Sequence, residues 1–363
     1  MATAPRRITG TLSTCRLPNN EGLINEPLGA CAVGTTMKRR LLGNTNIAVS
    51  EIGLGTWQLG GTDWGAVDER EALDTLRAAV EGGVNFFDTA DVYGMGRSEE
   101  IIGKFLKETS ERIFVASKLG RFPSPGWPGN FTLESLRAHT EASLRRLGVD
   151  SLDLTQLHCI PPDVLREGEV FDSLRVLQRE GKIKRFGVSV ESNEEALICL
   201  QQEDVTSLQI IFNIFRRKPL EFFDLAKSRG VALVVRLPLA SGLLSGKYTN
   251  ETEFAPGDHR SYNRDGQQFN VGETFAGLPF GKGVELADAL KSMSPEGTAL
   301  AQMALRWVLD FDAVGVVIPG ARNSVQVRAN IAASEMRRLG DDLHGRLKDF
   351  YETRVAANIR GPY

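Results

Sequence analysis

The chain has 363 residues and a formal net charge of −3, from 43 lysines and arginines and 46 aspartates and glutamates. A duplex-binding protein is usually basic on one face, so this balance argues against a nucleic-acid partner. Hydrophobic residues make up 42% of the chain, which allows a large core, and no apolar run reaches the roughly 18 residues of a membrane span.

The cysteines and histidines argue against a metal site. The four cysteines, at positions 15, 31, 159 and 199, form no CxxC pair, which disfavours a disulfide framework or a zinc site and favours a reducing, cytoplasmic location. The four histidines are scattered without HxxxH spacing. We therefore expect no resident metal.

Residues 1–36 form an N-terminal extension that differs from the rest of the chain. The extension is rich in Thr, Gly, Asn and Pro and has no helical or strand period. It fits a disordered tail, a poorly marked targeting segment or an over-extended start, although Glu21 and Glu26 argue against a good transit peptide. Met37 is a plausible true start, because regular sequence follows it directly.

From Lys38 onward, the sequence alternates between strand and helix patterns. A polar turn between apolar ends predicts a hairpin over residues 41–49. Strands are predicted at 52–57, 84–88, 112–118, 152–157, 184–189, 207–212, 231–236 and 314–318. Helices are predicted at 69–81, at 98–106 with Ser98 as its cap, from Thr132 to Gly148, and at 163–180, 193–203, 219–229, 284–291, 298–310, 324–334 and 342–355. Residues 246–281 form a long polar segment without a period.

Eight apolar strands, each followed by helical sequence, predict an α/β fold of the (β/α)8 TIM-barrel type. Residues 37–363 would form a single domain, in which the hairpin precedes the barrel strands and a helix stands at the C-terminal end. A doubly wound dinucleotide-binding sheet is disfavoured. Gly53-Leu54-Gly55 is followed by Gln58, and Gly94-Met95-Gly96 by Glu99, so both fail the GxGxxG pattern.

Polar side chains end several of these apolar strands, where barrel active sites are built. Asp88, Lys118 and His158 end the second, third and fourth strands, and Tyr93 follows in the loop after Asp88. Ser189 and Arg236 end the fifth and seventh strands, and Gln209 lies in the sixth. Ionisable groups on adjacent strand ends predict a functional cluster. Asp91 is interpreted as a loop-structuring residue, because the strand-end position favours Asp88.

The residue types indicate the chemistry. A phenol has a pKa near 10, and the ammonium of Lys118 lowers that value by favouring the phenolate. Asp88 can pair with the lysine, and His158 can hydrogen-bond to a reacting oxygen. Such a group protonates a carbonyl as it becomes an alcohol. No side chain supplies a hydride, so a nicotinamide or flavin cofactor is implied.

The sequence from about residue 37 to 340 resembles the aldo-keto reductase family, whose Asp-Tyr-Lys-His tetrad matches Asp88, Tyr93, Lys118 and His158 in order. The supporting motifs are Gly53-Leu-Gly-Thr-Trp57, Phe87-Asp-Thr-Ala-Asp-Val-Tyr93, Ser117-Lys118, Leu157-His158, Gly187-Val-Ser189, Ser241-Gly-Leu-Leu-Ser-Gly-Lys-Tyr248 and Ile318-Pro-Gly320. The resemblance implies a barrel, extended NADP(H) across the strand ends, and reversible reduction of a small carbonyl substrate.

The resemblance also implies roles by position. Tyr93 is the general acid, tuned by Lys118 and Asp88, and His158 orients the carbonyl. The cofactor residues implied are Gly55, Thr56, Trp57 and Asp88 near the nicotinamide ribose, Ser189 and Gln209 at the carboxamide, Arg236 at the ring, Leu239, Ser241, Gly242 and Lys247 at the pyrophosphate, and Gly320, Arg322, Gln326 and Asn330 at the adenosine. We assign the 2'-phosphate to Arg322, because a guanidinium grips phosphate in bidentate fashion.

Three positions depart from the family pattern. Val190 stands where Asn is common, and Ala329 where Glu is usual, which weakens carboxamide and adenine recognition. Arg236 replaces an aromatic residue that stacks on the nicotinamide. We hypothesise that its charge favours binding of the reduced cofactor over the cationic oxidised form.

Two other functional classes remain open. The chain also fits a cofactor-binding regulatory subunit, like the potassium-channel β subunits that share this resemblance. A metal-dependent barrel hydrolase is disfavoured, because clustered His and acidic ligands are missing from the strand ends. The oligomeric state and the substrate are not indicated. The substrate would be selected by the loop with Trp64, the loop 121–130 with Trp127, Phe212 and residues 246–281. Of these, Trp64 and Trp127 are predicted as pocket walls, and residues 246–281 as a lid over the cofactor.

Overall fold

Eight parallel strands, each hydrogen-bonded to the next in chain order, form the centre of the fold. The computed structural model describes Met1 and residues 37–363; the prediction for the N-terminal extension falls on residues 2–36, outside the described part. The strands are β1 (Arg39–Leu41), β2 (Ala48–Ser50), β3 (Leu54–Gly55), β4 (Phe86–Asp88), β5 (Phe114–Leu119), β6 (Leu154–His158), β7 (Phe186–Ser189), β8 (Val205–Ile211), β9 (Ala232–Arg236) and β10 (Val314–Val317).

The parallel sheet curls until its two edges meet. Ile52 bridges to Val317, and Gly55 bridges to Gly320, so the segment around β3 pairs with the end of β10. The predicted (β/α)8 barrel is thus confirmed. The first strand is shorter than predicted, since regular pairing covers only β3 within residues 52–57.

The helices are α1 (Glu69–Glu81), α2 (Arg97–Glu108), α3 (Leu133–Leu147), α4 (Pro162–Glu167), α5 (Glu169–Arg179), α6 (Asn193–Cys199), α7 (Phe223–Ser228), α8 (His259–Tyr262), α9 (Phe280–Lys291), α10 (Leu300–Leu309), α11 (Ser324–Glu335) and α12 (Asp341–Phe350). Among the described residues, no helix combines the length and apolar character needed to cross a bilayer.

Two helix predictions were wrong in detail. The predicted helix over 163–180 breaks into α4 and α5 at Gly168, whose φ of 82° is left-handed. Ser98 does not cap α2, because the helix begins at Arg97 after Gly96. The Ser98 hydroxyl instead lies 2.9 Å from the hydroxyls of Thr56 and Thr89, and it links α2 to the loops after β3 and β4.

Strand alternation divides the apolar side chains between two cores. Phe86, Phe114 and Leu154 point into the barrel, where the rings of Phe86 and Phe114 stack with centroids 5.3 Å apart. The intervening side chains pack outward against the helices. Leu42 and Val49 of the predicted hairpin, which β1 and β2 confirm, join the inner core. The hairpin covers the amino-terminal end of the barrel, because Asn44 N–H donates to Gly230 O just before β9. The carboxyl ends of the strands stay available for a site.

Residues 246–279, which we call the long loop, are mainly irregular. This confirms the prediction for 246–281 except at its end, where α9 begins at Phe280. They contain α8 and two short 3₁₀ turns. The loop is tied to the segment after β3: His259 N–H donates to Asp63 O at 2.8 Å, and Tyr262 Oη donates to Asp63 Oδ1 at 2.6 Å. These contacts hold the loop beside the carboxyl ends of the strands.

Candidate active site

A cleft of about 880 Å³ opens at the carboxyl ends of the strands. Its walls come from the ends of β3, β4, β6, β8, β9 and β10 and from the long loop. The predicted site residues that line it are Gly55, Thr56, Trp57, Asp88, Tyr93, His158, Gln209, Arg236, Leu239, Ser241, Gly242, Lys247, Gly320, Arg322, Gln326 and Asn330. Among the predicted catalytic and cofactor-binding residues, only Lys118 and Ser189 do not line the cleft.

Lys118 lies directly beneath the cleft, where it is 1% exposed. Its ammonium pairs with the Asp88 carboxylate and donates to Thr89 O at 2.9 Å and to Tyr93 Oη at 3.2 Å. All three of its N–H donors are therefore used. Burial lowers the pKa of Lys118, but Asp88 and Tyr93 outweigh that effect and raise it above its ordinary value. The side chain is thus a fixed cation next to the phenol.

Asp88 is held from two directions. One carboxylate oxygen pairs with Lys118, and the other accepts from Gln209 Nε2 at 2.7 Å and from Gln156 Nε2 at 3.2 Å. Gln156 was not predicted, although an amide within the apolar run of β6 was a visible signal. Gln209, predicted at the nicotinamide carboxamide, lines the cleft and directs its amide nitrogen to Asp88.

Tyr93 places its hydroxyl between Lys118 and the cleft. Because its oxygen accepts a hydrogen bond from Lys118, its own hydrogen is left to point toward a substrate. Burial raises the pKa of Tyr93 above its ordinary value, although Lys118 lowers it, as predicted, and Arg236 lowers it further. The pKa of Tyr93 is nevertheless raised overall, because burial disfavours the phenolate more than the cations favour it. Tyr93 is a protonated acid at neutral pH.

His158 also lines the cleft, and its ring lies nearly perpendicular to that of Tyr93, with centroids 5.8 Å apart. Burial, together with the charges of Arg121, Lys118 and Arg236, lowers its pKa well below the ordinary value. The ring is therefore neutral at neutral pH and carries one N–H donor. Within the described residues its Nδ1 has no hydrogen-bond partner. His158 and Tyr93 can both donate to one carbonyl oxygen between them.

Asp91 lies away from this group, consistent with its predicted loop-structuring role. Its backbone N–H donates to Lys118 O at 3.1 Å. Its buried carboxylate instead faces His139 Nδ1 at 3.5 Å, on the helix side of the loop.

The floor of the remaining cleft is shaped by glycine and left-handed backbone. A Cβ atom on Gly320 would lie 2.2 Å from the Gln58 amide, and one on Gly242 would lie 2.2 Å from Tyr248 Oη. Ser241 has a φ of 53°. Any side chain larger than hydrogen at Gly320 or Gly242 would collide with Gln58 or Tyr248, so this part of the floor requires glycine.

Two cations, Lys247 and Arg322, line this groove. Within the described residues, neither Lys247 nor Arg322 forms an ion pair with a carboxylate, and both line the cleft. Arg322 Nη2 donates to Ala66 O at 3.3 Å, and its backbone N–H donates to Gln326 Oε1 at 2.8 Å. Asn330 donates to Gly320 O at 3.3 Å. Unpaired cations along a glycine-lined groove fit a dinucleotide with phosphates at these positions.

Three other predicted residues lie elsewhere. The Ser189 hydroxyl is buried 3.4 Å from Cys159 Sγ, outside the cleft. Phe212, predicted to help select the substrate, packs in the outer core against Trp307 and Phe223 and does not line the cleft. Trp127 is 60% exposed and lines a separate small pocket. Trp64 does line the cleft, and Trp57 stacks on Tyr93 with centroids 5.8 Å apart.

One group of charged residues was not predicted. Arg121 and Glu273 line the cleft, as Arg236 does. Glu191 does not line it but forms an ion pair with Arg121. Arg121 was visible only as the first residue of a Pro/Gly loop, and nothing near it in the sequence indicated its partners.

Comparisons with known proteins agree with this geometry. A model of the Aldo/keto reductase family matches residues 51–352. Aldo-keto reductase YhdN of Bacillus subtilis is 33% identical over 301 residues, covering 81% of this chain and 87% of that protein. The NADH-specific methylglyoxal reductase of Escherichia coli is 31% identical over 318 residues, covering 82% and 93%.

Solved structures show the same likeness. Aldo-keto reductase AKR11C1 from Bacillus halodurans, in its holo form, superposes with a TM-score of 0.71 at 30% identity, covering 86% of this chain and 96% of that one. Glycerol dehydrogenase AKR11B4 from Gluconobacter oxydans superposes with a TM-score of 0.72 at 28% identity, covering 91% and 99%.

Proposed function

Because the chain belongs to the aldo-keto reductase family, we propose that it is an NADPH-dependent enzyme that reversibly reduces an aldehyde or ketone, with Tyr93 as the general acid. The observation that carries this proposal is the hydrogen bond from the buried Lys118 ammonium to Tyr93 Oη, which leaves the phenolic proton for a substrate. We place the activity in the cytoplasm, in keeping with the cysteine pattern.

When bound, the nicotinamide supplies the hydride. The side chains then manage the proton and the charge. His158 donates to the carbonyl oxygen and orients it beside Tyr93. As negative charge develops on that oxygen, Tyr93 Oη transfers its proton there, and the alcohol forms. The phenolate left behind is stabilised by Lys118 at 3.2 Å, whose charge is held by Asp88. In the alcohol-oxidising direction Tyr93 takes the proton back.

The direct test is oxidation of NADPH, and separately of NADH, by purified protein with a panel of aldehydes and ketones. Turnover that consumes one carbonyl per reduced cofactor would establish the reaction. Tight cofactor binding without turnover on any carbonyl would instead favour the regulatory-subunit alternative.

We further propose that Arg322 recognises the 2'-phosphate that distinguishes NADPH from NADH. Replacing Arg322 with Gln should weaken NADPH binding roughly 10- to 100-fold, because a charge-assisted hydrogen bond to phosphate is lost, while NADH binding changes little. Fluorescence titration of both cofactors measures this. Arg328→Gln removes a charge from an exposed position of α11 and is the matched control. Equal weakening of both cofactors would contradict the assignment; the NADH specificity of the Escherichia coli relative makes the comparison informative.

We also propose that Arg236 biases the cleft toward the reduced cofactor. Its Nη2 lies 3.6 Å from the Glu273 carboxylate, so part of its charge is offset. The charge that remains would still disfavour the cationic nicotinamide ring of NADP⁺. Arg236→Tyr removes that charge and should increase the affinity for NADP⁺ relative to NADPH. Parallel titrations with both redox forms give the ratio, and an unchanged ratio would refute the role.

A further inference from the structure

Four charged side chains, one from the end of β9 and three from separate loops, meet at the wall of the cleft. Arg121 Nη2 lies 2.9 Å from Glu191 and 3.2 Å from Glu273, and Arg236 Nη2 lies 3.6 Å from Glu273. We call these residues the charged quartet. Arg121, Arg236 and Glu273 line the same cleft as the catalytic Tyr93 and His158. The quartet is therefore part of the wall around a bound substrate.

The two guanidinium groups of the quartet are only partly used. Every hydrogen bond that the guanidinium groups of Arg121 and Arg236 donate to a described residue comes from Nη2. Arg236 Nε is buried and has no hydrogen-bond partner among those residues. Nε and Nη1 of Arg121 and Nη1 of Arg236 also bond to no described residue, and because both side chains line the cleft, these nitrogens can donate to an anion bound there. The planar array of free donors fits a carboxylate.

The charge of the quartet supports an anionic ligand. Burial raises the pKa of Glu273, but Arg121 and Arg236 overcome this effect and lower it to about 2. Burial and the neighbouring Glu273 raise the pKa of Glu191 to about 7. The quartet is therefore neutral when both glutamates are ionised and carries one positive charge once Glu191 takes up a proton.

Glu191 is surrounded by polar and ionisable side chains from several elements. These neighbours are Arg121, Cys159, Glu195, Arg216, Arg236, Asn270 and Glu273. Cys159, Glu191 and Glu273 place one ligand atom each within 4.8 Å of one another, as in a metal site. Two guanidinium groups already face these carboxylates, so an anion fits this place better than a metal cation.

We infer that Arg121 and Arg236 form a subsite for a carboxylate on the carbonyl substrate, and that protonation of Glu191 strengthens it. The inference rests on the proposed carbonyl reduction. A substrate with an anionic group near its carbonyl would bind with that group at the quartet and its carbonyl between Tyr93 and His158. The remaining walls, Trp57 and Trp64, would cover its apolar part.

The test compares two aldehydes of nearly equal shape, 4-carboxybenzaldehyde and 4-formylbenzamide, with NADPH as the hydride donor. The readout is the ratio of their kcat/KM values, in which effects common to both substrates cancel. For the unmodified protein we expect this carboxylate-to-amide ratio to exceed one and to fall as the pH rises from about 6 to about 8, because Glu191 ionises over that range.

Two variants separate the components of the subsite. Arg121→Gln should lower the ratio roughly 10-fold or more, because a charged donor pair is lost. Glu191→Gln mimics the protonated side chain, so its ratio should stay high and lose its dependence on pH. Arg137→Gln removes an ion pair with Glu180 on an exposed part of the chain and controls for a general loss of charge.

A ratio that Arg121→Gln leaves unchanged, or a pH dependence that survives in Glu191→Gln, would overturn the inference. If Arg121→Gln does not fold, the pH profiles of the unmodified protein and of Glu191→Gln still decide. If neither aldehyde is turned over, the proposed function fails separately. The subsite is then tested by quenching of tryptophan fluorescence with 4-(hydroxymethyl)benzoate and its amide: equal affinity for both refutes it.

Discussion

Tyr93→Phe should lower kcat for carbonyl reduction by about 10²- to 10⁴-fold while the affinity for NADPH changes little. The substitution removes only the hydroxyl that would donate the proton. The ring keeps its stacking on Trp57 and its contact with His158, at centroid distances of 5.8 Å each. Steady-state kinetics and cofactor titration on the same preparation measure both quantities.

Tyr262→Phe is the matched control, because Tyr262 lines the same cleft and donates its hydroxyl hydrogen to Asp63 at 2.6 Å. We expect that variant to affect the anchoring of the long loop, and thus KM, more than kcat. Full activity in Tyr93→Phe would remove Tyr93 from the mechanism and leave His158 as the proton donor to examine.

The pKa of Tyr93 also predicts the shape of the pH profile. Because burial raises that pKa above its ordinary value, the phenol stays protonated through neutral pH. Reduction should therefore persist at neutral pH and decline as the pH rises through the pKa of Tyr93. The residual activity of the Phe variant should lack this alkaline decline.

Three members of the tetrad, Asp88, Lys118 and His158, could be predicted from the sequence because strand alternation fixes where their side chains point. Asp88 shares its phase with Phe86, and Lys118 shares its phase with Phe114; both phenylalanines lie in the inner core. A polar residue in that phase at the end of an apolar strand must face the barrel mouth. The same rule places Phe212 on the outside, in phase with Leu208 and Ile210, and would have excluded it from the residues that select the substrate.

The charged quartet could not be predicted in the same way. Arg121 meets Glu191 across 70 positions of sequence and Glu273 across 152. Each of the three residues lies in a loop without a period, so no local pattern fixes the direction of its side chain. Their meeting depends on how the long loop folds back over the strand ends. Trp127 was misplaced for the same reason, since the direction of its loop decides whether it faces the cleft.

Lys118→Met should destabilise the protein and impair catalysis together. Lys118 and Asp88 are both buried, at 1% and 3% exposure, and the variant leaves the Asp88 carboxylate without its cation. Removing one partner of a buried ion pair costs roughly 3–5 kcal/mol in the free energy of unfolding. The kcat should also fall, because no ammonium remains to stabilise the phenolate that forms when Tyr93 gives up its proton.

The double variant Asp88→Asn/Lys118→Met separates these two effects. Its amide can still accept from Gln209 and Gln156, but no uncompensated charge stays buried, so much of the lost stability should return. The kcat should stay low, because neither substitution restores the cation. Denaturant unfolding and reduction kinetics on the unmodified protein, Lys118→Met and the double variant measure both effects. Recovery of kcat along with stability would mean that Lys118 acts only by supporting the fold, and the proton transfer assigned to Tyr93 would then proceed without a neighbouring cation.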